Sequence, residues 1–363
     1  MLRHVLSASL TILLAASVAA QSPSPAPAAA TPSPARSILD SLNAADLEQA
    51  IPIIKANYVD PAALNETELN RAVLAGLLSR LGNGVMLLPA HGPAATPAPA
   101  PLYREIIAGH IGYLRPSDLN RDQLAEMDLM LRGLAGKKVD ALIIDLRASG
   151  ETNDYGMAAE FASRFVPKGK PLFTLRGPGR KELRAFLSSQ DPIYHGLVVV
   201  LVDADTAGTA EALAAALRLN KKAIVIGEAT AGRAVNYADR PLPSGNILRI
   251  AVAQAVLPDQ QPLFPNGLKP DLSVAQPLAE KRQIFEQSLT KGMSPFVFES
   301  DRPHLNEAAL LAGTNPEIEA AQTAQQRRAR GGDAPALHDP VLQRAVDVVT
   351  SIGVYEKQPG GSP

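Results

Sequence analysis

Between Gly196 and Val235 the chain alternates apolar runs and turns in an order that few folds accommodate. Residues 196–202 (Gly-Leu-Val-Val-Val-Leu-Val) carry no polar side chain, the composition of a strand covered on both faces. The turn Asp-Ala-Asp-Thr-Ala-Gly (203–208) follows, then an alanine-rich stretch from Thr209 to Leu217 that suits a helix packed against a sheet. A second apolar run, 223–228, leads into the loop Ala-Thr-Ala-Gly-Arg-Ala (229–234). Strand, helix and strand in this order form a parallel crossover, so the turn before the helix and the loop after the second strand emerge at one end of the sheet. Open α/β sheets place their ligands at that end.

A second unit of the same kind lies upstream. Ile111–Arg115 reads as a short strand, Leu124, Met127, Leu131 and Leu134 mark one face of a helix, and 140–147 reads as a buried strand. A helix over 155–165 and a last strand over 247–256, ended by Pro258, complete an α/β (α+β) core with a mixed, partly parallel sheet, spanning 102–276. Before it, residues 37–90 form a helical segment. Leu42, Leu47, Ile51 and Ile54 belong to one helix, Leu69, Val73, Leu77 and Leu81 to another, with Asp60-Pro61 as the turn between them. Pro/Ala-rich stretches at 21–36 and 91–101 read as a tether and a linker. Residues 277–363 are polar and helical or irregular; Glu317–Gly332 is expected to be mobile, and a last helix covers Pro340–Ile352.

Residues 1–20 have the form of a secretory signal. Arg3 and His4 precede an apolar run from Val5 to Val18, and Val-Ala-Ala (18–20) offers a cleavage site. The expectation is export, to a periplasm or the outside, with no integral span once the signal is removed. The net charge of −1 gives no attraction for nucleic acid or an anionic membrane. With no cysteine, disulfides, cysteine nucleophiles and cysteine-bound zinc are excluded. The six histidines are scattered with no metal-ligand spacing, so no metal or other cofactor is expected, and His195 reads as a surface residue. Gly227–Ala234 resembles a phosphate-binding loop but has Arg233 for its lysine and Ala234 for its hydroxyl. There is no Gly-x-Ser-x-Gly elbow.

Five segments in order, Ile-Gly-Tyr-Leu-Arg (111–115), Ile-Ile-Asp-Leu-Arg (143–147), Asp-Thr-Ala-Gly-Thr-Ala-Glu (205–211), Gly-Glu-Ala-Thr-Ala-Gly-Arg (227–233) and Gly-Leu-Lys-Pro-Asp-Leu-Ser-Val (267–274), resemble the C-terminal-processing (tail-specific) serine peptidases. Ala56–Pro61, the helix over 74–81 and Asp339–Ala345 extend the resemblance outward. It implies a crotonase-like protease core and a Ser–Lys dyad, the serine beginning a helix and the unprotonated lysine acting as base. The family's peptide-binding PDZ module has no counterpart; the Pro/Ala linker stands in its place.

Anchoring on Glu211 puts the nucleophile position at Gly208, and anchoring on Gly227, Glu228 and Gly232 puts the base position at Arg233. The spacing between them fits the family pattern, so no gap rescues either. Glycine has nothing with which to attack a carbonyl, and arginine does not release its proton. The family's paired glycines near the oxyanion site are replaced by Glu151 and Thr152. No intact catalytic residue is therefore expected.

The cleft is expected to draw on Thr206, Ala207, Thr209, Glu211, Gly232, Asp145, Arg147, Gly150 and Glu151. It would bind a peptide segment or partner protein, and Arg233 could attract a chain-terminal carboxylate. Two alternatives stand beside this reading: an active peptidase using Thr206 or Thr209, and a scaffold subunit with a vestigial cleft. Residue by residue the requirements are modest. Gly208 can cap the helix with Glu211 at its third position, Asp145 and Arg147 can pair on the rim, and Arg233 can be an exposed cation.

Overall fold

The computed structural model describes residues 34–90, 100–134, 139–297 and 337–357. The signal, most of the tether, most of the linker and the 317–332 segment lie outside the described residues.

The chain forms two compact units that meet in sequence at Val73/Leu74. In the N-terminal unit, α1 (Pro34–Ser41) and α2 (Ala44–Asn57) are separated at Asn43, whose side chain accepts from Asp46 N while Asp46 accepts from Asn43 N. This capping box is a break within what the periodicity presents as one helix. Asp60 caps a short 3₁₀ turn (Pro61–Leu64), and α3 (Glu66–Leu81) follows. The predicted stripe is not a buried face: Leu47, Ile51 and Ile54 are all exposed.

The core contains two sheets where the sequence reading supplied strands for one. The first is six-stranded. β2 (Tyr103–Ile107) lies antiparallel at its edge, followed by β3 (Ile111–Arg115), β4 (Ala141–Asp145), β7 (Leu197–Val202), β8 (Ala223–Gly227) and β11 (Leu272–Ser273), all parallel. Side chains alternate strictly between its faces. Val198, Val200 and Val202 meet a cluster that includes α4 (Arg121–Leu134), α5 (Tyr155–Ala162) and α6 (Thr209–Leu219). Val199 and Leu201 meet Ile284, Leu342, Val346 and Val349 from α7 (Leu278–Lys291) and α8 (Pro340–Lys357). Coverage on both faces is why β4 and β7 read as unbroken apolar runs.

The second sheet is five-stranded and antiparallel. β10 (Ile247–Val256) pairs with β1 (Val85–Leu88), β5 (Pro171–Arg176) and β9 (Val235–Pro241), and β5 pairs with β6 (Glu182–Leu187). The strand 247–256 therefore belongs to this sheet. Leu172, Phe173, Leu175, Phe186 and Ala255 join it to the cluster around α5 and α6.

Candidate functional site

β7 and β8 are parallel neighbours, and the chain leaves both in the same direction. The turn 203–208 and the loop 228–234 are thereby delivered to one place. Gly208 is the N-cap of α6, with φ 59° and ψ −121°, a conformation that side chains with a β-carbon adopt only under strain. A sharp strand-to-helix turn with its last residue held this way is the backbone form of a nucleophile elbow.

One side chain joins the turn to the loop. Glu211, fully buried, accepts from Gly208 N at 3.1 Å and from Arg233 N at 2.7 Å on one oxygen, and from Gly232 N at 2.7 Å and Thr230 Oγ1 on the other. Positions 208 and 233 thus share a single acceptor atom and are neighbours across the site. Burial pushes the Glu211 pKa up, and the four donors only partly offset this. Gly232 sits at φ 65°, and a β-carbon there would come within 2.0 Å of Pro265 O, so the loop is closely backed.

Where the resemblance implies a serine and a lysine, the structure has an ion pair over a glycine. Arg233 Nε donates to Glu151 Oε2 at 3.1 Å, with both side chains about one-third exposed (31% and 36%). Arg233 is thus a paired cation and not a free one. A β-carbon on Gly208 would meet Thr152 O at 2.8 Å and Glu151 Cγ at 3.4 Å. Residues 151 and 152 therefore leave no room for a side chain at position 208.

The other expected cleft residues divide into two groups. Gly150 N donates to Ser117 O and holds the 150–152 segment in place. Ala207 is buried beside Gly208. Thr206 is fully buried, its hydroxyl donating towards Asp203 Oδ1 and Leu146 O, and Thr209 is fully buried with its hydroxyl against that of Thr152. Neither hydroxyl is accessible to a substrate.

Asp145 and Arg147 require a correction: they pair, but not on a rim. Both are buried, Arg147 donates from Nε and Nη2 to the Asp145 carboxylate at 2.9 and 2.6 Å, and Tyr113 Oη donates to the same carboxylate at 2.7 Å. Arg147 also grips Asp339 through two bonds of 3.0 and 2.9 Å, and Asp339 caps α8. Burial alone would raise the Asp145 pKa, but the Arg147 charge and the hydrogen bonds lower it overall. This pair anchors the C-terminal helix and does not line the cleft.

Two residues near the site carried no sequence signal. Lys281 of α7, nearly fully buried, reaches back to Asp203 Oδ2, to Asp205 Oδ2 at 2.8 Å and to Arg147 O, and so braces the elbow from beneath. Tyr155, at the start of α5, is 2% exposed, and its hydroxyl has no hydrogen-bond partner. Burial, with the nearby Glu211 and Glu151 carboxylates, raises its pKa.

A cavity of about 450 Å³ between β2 and α4 touches none of these residues. A smaller one of about 180 Å³ is lined in part by Val235, Gln254 and Phe264 and begins two residues past Arg233. Among the described residues no helix is long and apolar enough to cross a membrane.

Residues 110–274 match peptidase family S41. A carboxyl-terminal-processing protease of Synechocystis sp. is 28% identical over 177 residues, 48% of this chain and 40% of that protein. The chloroplastic carboxyl-terminal-processing peptidase 1 of Arabidopsis thaliana is 25% identical over 162 residues, 44% of this chain and 33% of that protein. The chain spans less than half the length of either relative. Among solved structures, a putative peptidase from Parabacteroides merdae aligns over 81% of this chain and 92% of its own with a TM-score of 0.47 and 15% identity. The stretch 110–274 that matches peptidase family S41 carries both the turn before α6 and the loop after β8.

Proposed function

We propose that this protein is an exported, catalytically inactive member of its peptidase family that binds polypeptide segments at the former active site. The observation that carries this reading is the Glu151–Arg233 ion pair above Gly208. Covalent hydrolysis needs an attacking atom and a group to take its proton. Gly208 supplies no atom, and Arg233 keeps its proton at any working pH. Loss of the members of a hydrolytic dyad costs on the order of 10⁴- to 10⁶-fold in rate. The frame that would position a peptide is retained: the elbow, the Glu211 anchor and the loop stand together.

Two measurements test it. An unfolded protein substrate incubated with the purified chain is expected to yield no fragments, while unfolded polypeptide is expected to bind. Turnover abolished by Thr209→Ala but not by Gly208→Ala would overturn the inactive reading. Absence of any polypeptide binding would overturn the binding reading. Export is tested by fractionating cells that express the full chain, with the protein expected outside the cytoplasm.

A further inference from the structure

We infer that the hairpin of β5 and β6, with the residues that flank it, is a docking surface for an anionic lipid membrane, a role independent of the cleft at Gly208. The net charge of −1 conceals a strong local imbalance. Residues 168–184 carry Lys168, Lys170, Arg176, Arg180, Lys181 and Arg184 against Glu182 alone, a net charge of +5, so the rest of the chain carries −6. The lack of attraction to an anionic membrane, expected from the net charge, therefore holds for the chain as a whole and not for this hairpin.

These cations are unpaired. Elsewhere in the core Arg147, Arg164, Arg218, Arg233 and Arg249 each hold a carboxylate. None of the six cations of 168–184 has a carboxylate partner among the described residues, and Arg176 Nε is buried without any hydrogen-bond partner. Lys168, Lys170, Arg180, Lys181 and Arg184 are exposed. The carboxylate that reaches the end of the hairpin, Glu160 beside Ser189, is already held by Arg164. Like charges gathered without counter-charges repel one another, and an anionic surface relieves that repulsion.

Between the cations lies an apolar strip. β6 pairs antiparallel with β5, with Phe186 opposite Phe173 and Ala185 opposite Thr174. Phe186 and Phe173 face the core, so the alternate positions Leu183, Ala185 and Leu187 face outward. Leu183 and Leu187 are 53% and 54% exposed. On one strand face they stand about 13 Å apart. Arg180 and Lys181 precede Leu183 in the turn. At the other end Ser188 N donates to Lys170 O and Gly169 N donates to Ser188 O, which sets Lys170 beside Leu187. The strip is thus bracketed by basic residues at both ends.

Exposed leucines between cations match a lipid interface, where an anionic headgroup layer lies over hydrocarbon. The lysines and arginines meet phosphate while the leucines enter the acyl boundary. A uniformly acidic polypeptide satisfies the cations but offers nothing to Leu183 and Leu187. Each basic residue held at an anionic membrane surface strengthens binding about fivefold. That attraction fades within a Debye length, about 8 Å at physiological salt, so docking weakens as salt rises.

The chain has no tryptophan, so a single introduced one reports its own surroundings. The test places it at Leu187 or at Leu183 in the full chain and follows its fluorescence on vesicles of phosphatidylcholine alone and of phosphatidylcholine with phosphatidylglycerol in equal parts. The readout is local, so the apolar run 5–18 does not contribute to it. Leu187→Trp and Leu183→Trp are expected to shift to the blue on the mixed vesicles only, and to lose the shift at about 1 M salt. Leu289→Trp, at an exposed leucine of α7, is expected to shift on neither. Adding Arg180→Gln and Lys181→Gln to Leu187→Trp should raise the lipid concentration for half the shift about 10- to 30-fold. A shift of equal size on phosphatidylcholine alone, or one unmoved by the changes at 180 and 181, would overturn electrostatic docking. An equal shift from Leu289→Trp would overturn its placement on this hairpin. No shift from either reporter on mixed vesicles would overturn the proposal, and a shift then produced by polyglutamate would assign the surface to an acidic polypeptide.

Discussion

Arg233 Nε donates to Glu151 Oε2 across 3.1 Å, and the Cγ of that glutamate lies where a β-carbon on Gly208 would come within 3.4 Å of it. Gly208, Glu151 and Arg233 are therefore physically one arrangement. A glycine leaves room, a glutamate moves into the room, and an arginine holds the glutamate.

Placing a serine at position 208 is expected to cost stability and to bring no cleavage. Gly208 has φ 59°, and any β-carbon meets Thr152 O at 2.8 Å. Gly208→Ser should destabilise the fold by about 1–3 kcal/mol, read as a lower Tm, from backbone strain alone. Gly208→Ser with Arg233→Lys should still release no fragments from unfolded protein. Cleavage by that double variant would show that the 150–152 segment yields readily.

Glu211→Ala should cost at least ~3 kcal/mol. It leaves Gly208 N, Gly232 N and Arg233 N without their acceptor, each worth about 1–3 kcal/mol when buried and unpaired. Hydrogen exchange at Gly232 and Arg233 should accelerate ahead of exchange in β7. Unchanged exchange in the loop would mean that Glu211 does not tie it to the elbow.

Gly232→Ala should be among the most damaging single changes in the loop. The new methyl would stand about 2.0 Å from Pro265 O at a residue with φ 65°. A cost of about 2 kcal/mol or more follows, together with weaker polypeptide binding. A native Tm for this variant would show that the 265–267 segment moves aside.

The Asp145 carboxyl is held below its usual range, so its contribution has a definite sign with pH. The stability it supplies is complete above the ordinary aspartate pKa and is lost as pH falls through the lower value of the folded chain. A Tm measured from pH 7 down to pH 2 should drop at the acid end, and Asp145→Asn should flatten that drop. At pH 7 the same variant should cost about 3–5 kcal/mol, because Arg147 stays buried with part of its pairing gone. An acid limb unchanged by Asp145→Asn would assign the acid sensitivity elsewhere.

The parallel part of the fold could be read from the chain because buried parallel strands are apolar without interruption; β3, β4, β7 and β8 all declared themselves. Of the antiparallel sheet, only β10 could. β6 (Glu-Leu-Arg-Ala-Phe-Leu) is exposed at all but one position, and β9 carries Asp239, Arg240 and Pro241, so neither shows a buried period. Exposed Leu47, Ile51 and Ile54 show the converse, a helical period with no core beneath it.

At the site, sequence alone determined which atoms are absent: the side chain at Gly208 and a removable proton at Arg233, both properties of residue type. Only the tertiary structure decided what occupies the space. Arg233 lies 82 residues from Glu151 and 22 from Glu211, and Lys281 lies 78 from Asp203, so these pairings depend on how the two sheets and α7 pack. Asp145 and Arg147 make the same point. Two residues apart on a strand end, they could have paired on a rim, and it was Asp339, far down the chain, that enclosed them.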